Sequence, residues 1–303
     1  MKILLVDVDS KIPNLALMKI SAWHKKQGDE TGFDISNPDK VYISCIFQKN
    51  KGQAKGIAKF YPDAKIDIGG SGINLKKNLL PEIENTKPDY NLYPSTYSQD
   101  FTSRGCFRKC LFCIVPEKEG MIKPWHHPSQ FHDNRFDTCM IMDNNLFAAP
   151  DSWQAEVFNW FYQTGTKMLS PQGWDIRLLN DIKLYDLKRI KHAGLIHFAW
   201  DNIKDEKKIL KGIGLLKDSG FDLKREISFY ILCGFGIWKG KPIEIPFCDV
   251  DLYRCEKLKE LGVQSYVMPY HKKDKQINAL ARWANRPWLY WSIPFSKYDR
   301  GIA

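Results

Sequence analysis

Three cysteines, Cys106, Cys110 and Cys113, stand at C-x3-C-x2-C spacing, with Phe112 directly before the last. Thiolates this close in sequence can wrap one face of an inorganic cluster. A [4Fe–4S] cube held by three cysteines keeps one iron without a protein ligand, and that iron is a place for a substrate or a second cofactor. A structural zinc knuckle is the bland reading. It would want a fourth ligand nearby and usually comes as paired C-x2-C halves. The next cysteine, Cys139, is too far along to belong to the same loop.

Such a loop needs a scaffold. Residues 2–7 read as a buried strand, 13–27 as a helix ending before Gly28, 41–47 as a second strand, and 53–61 as a helix stopping at Pro62. A third strand, 64–68, runs into Gly69-Gly70-Ser71-Gly72, a cluster that more often marks a turn than a phosphate cradle. Residues 75–100, polar and rich in proline, read as a linker. Beyond the cysteine loop, strands are predicted at 138–142, 168–178, 195–200, 227–235 and 264–270, separated by helices at 151–164, 181–193, 205–218 and 249–261. Alternating strands and helices predict parallel sheets with right-handed crossovers. Ligands of such sheets sit beyond the carboxyl ends of the strands.

Several polar residues fall at those ends. Asp143, Asn144 and Asn145 follow the 138–142 strand. Asp175 and Arg177 share one face of the 168–178 strand, where they pair with each other or meet a ligand. Asp201 closes the 195–200 strand, as a ligand contact or as a helix cap. His126 and His127 are pocket-lining candidates rather than a metal pair, because neighbours on a strand face opposite ways.

The cysteine loop resembles that of the radical S-adenosylmethionine (radical SAM) enzymes, Phe112 matching the family's aromatic. The resemblance implies a [4Fe–4S] cluster on Cys106, Cys110 and Cys113, with S-adenosylmethionine on the remaining iron, cleaved to methionine and a 5′-deoxyadenosyl radical. It implies an electron donor such as flavodoxin or ferredoxin. The expected architecture is α/β: a Rossmann-like parallel sheet over 1–95, a partial (β/α)6 barrel over 96–275 built from six strand–helix units after the cysteine loop, and a basic, aromatic segment over 276–303. By the same resemblance Asp143, Asn144 and Asn145 stand where the family binds the amino group of the cofactor, and Arg177 suits its carboxylate. Asp201 suits the ribose, and Gly234 lies on the strand that lines the adenine. The first segment is similar to the cobalamin-binding domains found ahead of many such enzymes: Ser44 and Ile46 match one signature and Gly69-Gly70 another. The Asp-x-His signature is broken, since Asp7 is followed by Asp9 and no histidine is there. Loss of cobalamin is therefore the preferred expectation.

Composition sets the remaining bounds. The 303 residues are 44% hydrophobic, enough for buried cores, and carry a formal charge of +10. That surplus favours acidic partners, nucleic acid among them. The second functional reading is accordingly an iron–sulfur redox sensor or a nucleic-acid-binding protein without cofactor cleavage. Residues 280–291 interleave basic and aromatic side chains. These suit base stacking or, the preferred reading, burial against the fold. Eight cysteines without a disulfide-scaffold composition, no secretory leader and no membrane-length apolar run predict a cytoplasmic protein with no membrane partner.

Overall fold

The first apolar run folds as β1 (Lys2–Asp7) in the computed structural model, which describes residues 1–299. Arg300–Ala303, the end of the 276–303 segment, lie outside the described residues. Then come α1 (Leu15–Lys26), β2 (Glu30–Gly32), β3 (Lys40–Ser44), α2 (Lys51–Ala58) and β4 (Lys65–Gly69). The strands form one parallel sheet in the order β2-β1-β3-β4. Alternation along β1 divides its core: Ile3 and Leu5 pack with Leu17 and Ile20 of α1, and Leu4 packs with Ala54 of α2. Asn14 caps α1 by accepting from the Leu17 amide. β2 was not expected, because Glu30-Thr31-Gly32 shows no apolar pattern; it is held by pairing with β1.

The second half contains α3 (Pro81–Glu84), β5 (Ser98–Asp100), β6 (Ser103–Arg104), α4 (Val115–Lys118), β7 (Lys123–Pro124), α5 (Pro128–Phe131), β8 (Thr138–Ile141), α6 (Asp151–Thr164), β9 (Lys167–Leu169), α7 (Asp181–Arg189) and β10 (Ile196–Ala199). It continues with α8 (Glu206–Asp218), α9 (Leu223–Glu226), β11 (Ile227–Cys233), β12 (Phe235–Trp238), β13 (Lys241–Glu244), α10 (Asp249–Glu260), β14 (Gln264–Pro269), α11 (Lys275–Ala284), α12 (Pro287–Ser292) and α13 (Phe295–Asp299). Two three-stranded parallel sheets, β5-β8-β9 and β10-β11-β14, follow the order of the chain. The parallel bridge between Trp174 and Phe198 joins the chain after β9 to β10. One apolar core, from Phe131 to Phe295, packs α6, α7, α8, α10 and α11 against one face of these strands.

Two expectations change, and the preferred reading of the tail holds. The stretch read as a linker contains β5, a fully buried strand of three polar residues, so the strand series begins before the cysteine loop and five of its members follow it. Residues 168–178 are not one strand. β9 stops at Leu169, Pro171-Gln172-Gly173 turns the chain, and Ile176–Leu178 is a 3₁₀ turn capped by Asp175. The aromatic tail is mostly core: Trp283 and Tyr290 are fully buried, and the Tyr290 hydroxyl donates to the carbonyls of Cys255 and Val263. Trp288 is the exposed exception. Among the described residues no helix is long and apolar enough to cross a membrane.

Candidate functional site

The cysteine loop is pinched shut at its base. β6 and β7 pair antiparallel on either side of it, and the Cys106 amide donates to the Gly120 carbonyl at 3.1 Å. Gly105 makes this closure fit. Its φ is +89°, and a Cβ there would lie 2.4 Å from the Met121 carbonyl oxygen, so both conformation and space demand glycine. Within the loop the Arg108 amide faces Cys106 Sγ at 3.4 Å, and the Cys113 amide donates to the Cys110 carbonyl at 3.0 Å.

The loop lies over the carboxyl ends of the second set of strands. Phe112 packs edge-on against Phe235, at 5.2 Å between ring centres, and Phe235 packs the same way on Tyr270 after β14. Arg108 reaches Asp175 with Nε at 2.8 Å. Burial, then the thiol of Cys113 and the charge of Asp201, push the Cys110 thiol up. Burial does the same to Cys113. Metal binding at these positions must therefore displace protons.

The strand-end residues divide into spent and unspent. Asp143 is buried and spent: it accepts from the Thr102 amide and hydroxyl, both at 2.6 Å, and from the Ser103 hydroxyl at 2.5 Å. Its carboxyl therefore anchors the entry to the cysteine loop instead of facing a ligand amino group. Burial pushes it up to about 6, against the lowering effect of those hydrogen bonds. Asn144 and Asn145 are different. Asn144 Nδ2 and Asn145 Oδ1 are buried without a protein partner, and Asn145 Nδ2 points at Cys106 Sγ, 3.6 Å away. Buried polar atoms are rarely left unpaired, so these two are strand-end groups with capacity left for a ligand.

Arg177 is also spent. Its Nε meets Asp175 at 2.7 Å and its NH1 meets Asp205 at 2.6 Å, so the paired arrangement holds and no free fork faces a carboxylate. Asp175 joins Arg177 to Arg108 and thereby ties the cysteine loop to the chain between β9 and β10. Asp201 is no helix cap; Asn202 caps the turn that follows. Asp201 Oδ1 accepts from the Leu232 amide at 3.0 Å, and burial raises its carboxyl above the usual range. Gly234 is required by packing, with φ +74° and a Cβ position 2.5 Å from Ile277 Cδ1 and 2.9 Å from His271 Cβ. His126 sits between Asp100 and Asn85, each at 3.1 Å, and His127 caps α5, so both histidines serve the scaffold.

Sequence reasoning missed the charges beneath the loop. Lys19 of α1 is fully buried, with Nζ 2.9 Å from Asp100 of β5 and 3.1 Å from Glu84. Arg104, next to Gly105, pairs with the same Glu84 at 3.0 Å and with Glu119 at 3.1 Å. The first sheet's helix is thus wired to both ends of the cysteine loop. A lysine set among Leu17, Met18 and Ile20 on the inward side of α1 was the available signal.

The first sheet's carboxyl end is occupied by the chain itself. Asp9 accepts from the amides of Ile46 and Phe47 and from Asn50. Asp7 accepts from Tyr93 at 2.6 Å, and Asn14 donates to the buried Ser44 hydroxyl at 2.8 Å. Gly70 and Gly72 lie against the backbone of Cys45 and Phe47, where a Cβ would sit 2.3 Å from the Cys45 oxygen and 2.7 Å from the Phe47 carbonyl carbon.

Among the described residues no three His, Cys, Asp or Glu side chains are close enough to hold a single metal ion. A cube, in contrast, takes its cysteines on separate corners and spaces them more widely. No protein-family model matches this chain, and no curated protein matches it.

Proposed function

We propose that this chain is a radical SAM enzyme, its two three-stranded parallel sheets forming a partial (β/α)6 barrel behind a Rossmann-like first domain. One observation carries the reading. Three thiols on a pinched loop sit over the carboxyl ends of parallel strands, beside two buried carboxamide atoms that have no partner. The donor set fits a cube: three thiols, one open corner, and unpaired groups next to it.

Cys106, Cys110 and Cys113 would hold the [4Fe–4S] cluster. Asn144 and Asn145 offer an unpaired donor and an unpaired acceptor to the amino-acid end of S-adenosylmethionine. Asp201, beside Cys110 and Cys113, uses one oxygen on Leu232 and has another for a ribose hydroxyl. Asp143, Asp175 and Arg177 position the loop from below. When loaded, the cluster supplies one electron, from a donor such as flavodoxin or ferredoxin, that cleaves S-adenosylmethionine to methionine and a 5′-deoxyadenosyl radical. The protein's part is to orient the substrate and keep water from the strand ends. Cobalamin is not part of the proposal, because the residues at the first sheet's carboxyl end bond one another.

The test is anaerobic reconstitution with iron and sulfide, followed by reduction in the presence of S-adenosylmethionine. The expected product is 5′-deoxyadenosine. A well-formed cluster that yields none sinks the catalytic reading and favours the redox sensor, whose mark is nucleic-acid affinity that follows the state of the cluster.

A further inference from the structure

The helix-free face of β10-β11-β14 is unlike the rest of the molecule. Along β14, Ser265 and Val267 are buried against the helices, whereas Tyr266 is 44% exposed and Met268 is 38% exposed. Tyr266 is in register with Tyr230 of β11, which is in register with Ala199 of β10. Tyr230 stacks on His197, with ring centres 4.8 Å apart and planes 20° from parallel, and meets Tyr266 edge-on at 5.6 Å. The turn after β9 covers one end of this ladder: the Tyr230 hydroxyl donates to the Pro171 carbonyl at 2.7 Å, and Gly173 lies against His197 and Tyr230. Tyr266 at the other end remains bare.

The ladder carries no formal charge but has hydrogen-bonding capacity to spare. His197 Nδ1 is buried without a protein partner, and burial lowers the imidazole, which keeps it neutral at neutral pH. A bare, uncharged aromatic face suits stacking by a flat, neutral ring.

The rim beside it is basic. β12 and β13 form a hairpin directly after β11, with exposed Lys239 in its turn and exposed Lys241 at the start of β13. The segment after β14 carries exposed Lys272 and Lys273. Gly234 packs on His271, so the two segments lie together over the ends of β11 and β14. The facing acid is Glu244, 3.7 Å from His271 Nε2, while Asp274 is engaged in capping α11. Four lysines thus outnumber the acid on this rim, which suits phosphate.

We propose that the substrate bound here is a nucleotide unit, its base stacked on Tyr266 and its phosphate side turned toward the basic rim that carries Lys239, Lys241, Lys272 and Lys273. This deepens the radical SAM reading and rests on it for the chemistry that follows binding; the binding itself does not. Phe112 reaches Tyr270 through Phe235, and Tyr266 lies four residues earlier on the same strand, about 13 Å back along β14. Tyr266 thus stands on the strand whose end the aromatic contacts of the cysteine loop reach. The same geometry moves the nucleic-acid surface away from residues 280–291, where Trp283 and Tyr290 are core.

The experiment is equilibrium binding to the full chain without cluster or reductant, so that a failure of cofactor cleavage leaves its result untouched. One arm uses a fluorescein-labelled, mixed-sequence single-stranded RNA of about 12 nucleotides, and the other uses the four ribonucleoside monophosphates. Saturable binding in either arm is expected, and which arm binds identifies polymer or free nucleotide as the source. Tyr266→Ala should weaken binding about tenfold or more and Tyr266→Phe much less. Changing all four lysines to Gln should flatten the salt dependence. Trp288→Ala, on the exposed tail, should change nothing. Thermal melts of each variant separate lost binding from lost fold, and Tyr266→Phe keeps the test alive should the alanine variant unfold. No binding in either arm overturns the proposal. So does binding by a folded Tyr266→Ala protein at wild-type affinity, or a loss in Trp288→Ala as large as that in Tyr266→Ala.

Discussion

The carboxyl ends of the two sets of parallel strands are the same kind of place, and the chain treats them oppositely. At the first, Asp7, Asp9, Asn14, Ser44 and Tyr93 bond one another or nearby backbone, and Gly70 and Gly72 bring backbone against backbone. At the second, three thiols stand free, and Asn144 and Asn145 have buried atoms with no partner. Parallel strands present their carboxyl ends together in each case, the usual place for a ligand. Whether that place is a site depends on whether the chain's own side chains use up its hydrogen bonds. Unpaired buried atoms are costly, so those that persist at a strand end leave capacity for a ligand.

The sharpest way to break this contrast is cysteine replacement. Ala at Cys106, Cys110 or Cys113 should abolish the absorption of the reconstituted cluster and all 5′-deoxyadenosine, while Cys45→Ala, in the first sheet, should leave both intact. A cluster spectrum retained in any of the three loop variants would reject the ligand assignment. Next in size is Lys19→Met. It leaves Asp100 buried with only His126 beside it, and losing one partner of a buried pair costs about 3–5 kcal/mol, read by urea denaturation. A loss under about 1 kcal/mol would mean that the Lys19–Asp100 pair carries little of the link between the halves.

The two glycine closures can be compared directly. Gly70→Ala and Gly105→Ala each put a Cβ into a carbonyl oxygen at positive φ, at a cost of about 1–3 kcal/mol. Gly70→Ala should lower stability and spare cluster loading per folded molecule; Gly105→Ala should lower the loading itself. Equal effects on iron content would erase the distinction between a filled end and an open one.

A smaller effect is set by pH. Asp143 is pushed to about 6 in the fold, whereas an unfolded aspartate titrates near ~3.9. Between these values the folded chain holds the extra proton, so this group's contribution to stability falls as pH rises through that window and stays low above it. Going from pH 7 to pH 5 should recover on the order of 1 kcal/mol, and Asp143→Asn should remove that slope when compared with wild type. The smallest expected effect is none: titration of the full chain with hydroxocobalamin should leave the cobalamin spectrum unshifted, and saturable binding would show that the first sheet's end opens.

The pattern of the chain exposes some of this and hides the rest for physical reasons. α6 and α10 follow from apolar spacing, and the cysteine loop follows from three residue types at short intervals. β5 does not, because Ser98, Gln99 and Asp100 are buried only by virtue of partners elsewhere: the Asp133 amide, the Pro13 carbonyl and Lys19. Hydrophobic period cannot reveal a strand whose burial is satisfied by polar bonds. The apolar run 168–178 misleads in the other direction, since Pro171 and Gly173 break it where composition alone suggests continuity. At the site, residue type located Asp143 and Arg177, but only their contacts show that both are spent on the scaffold.

The ion pair between Lys19 and Asp100 has a consequence in time. Asp100 belongs to the strand that leads into the cysteine loop, and its charge is neutralised by a helix made some eighty residues earlier. N-terminal units generally fold first as a chain emerges, so an α1 docked on its sheet offers β5 a ready partner for its carboxylate. One buried contact thereby makes the strand that enters the cysteine loop depend on the folding of the first sheet and its helix.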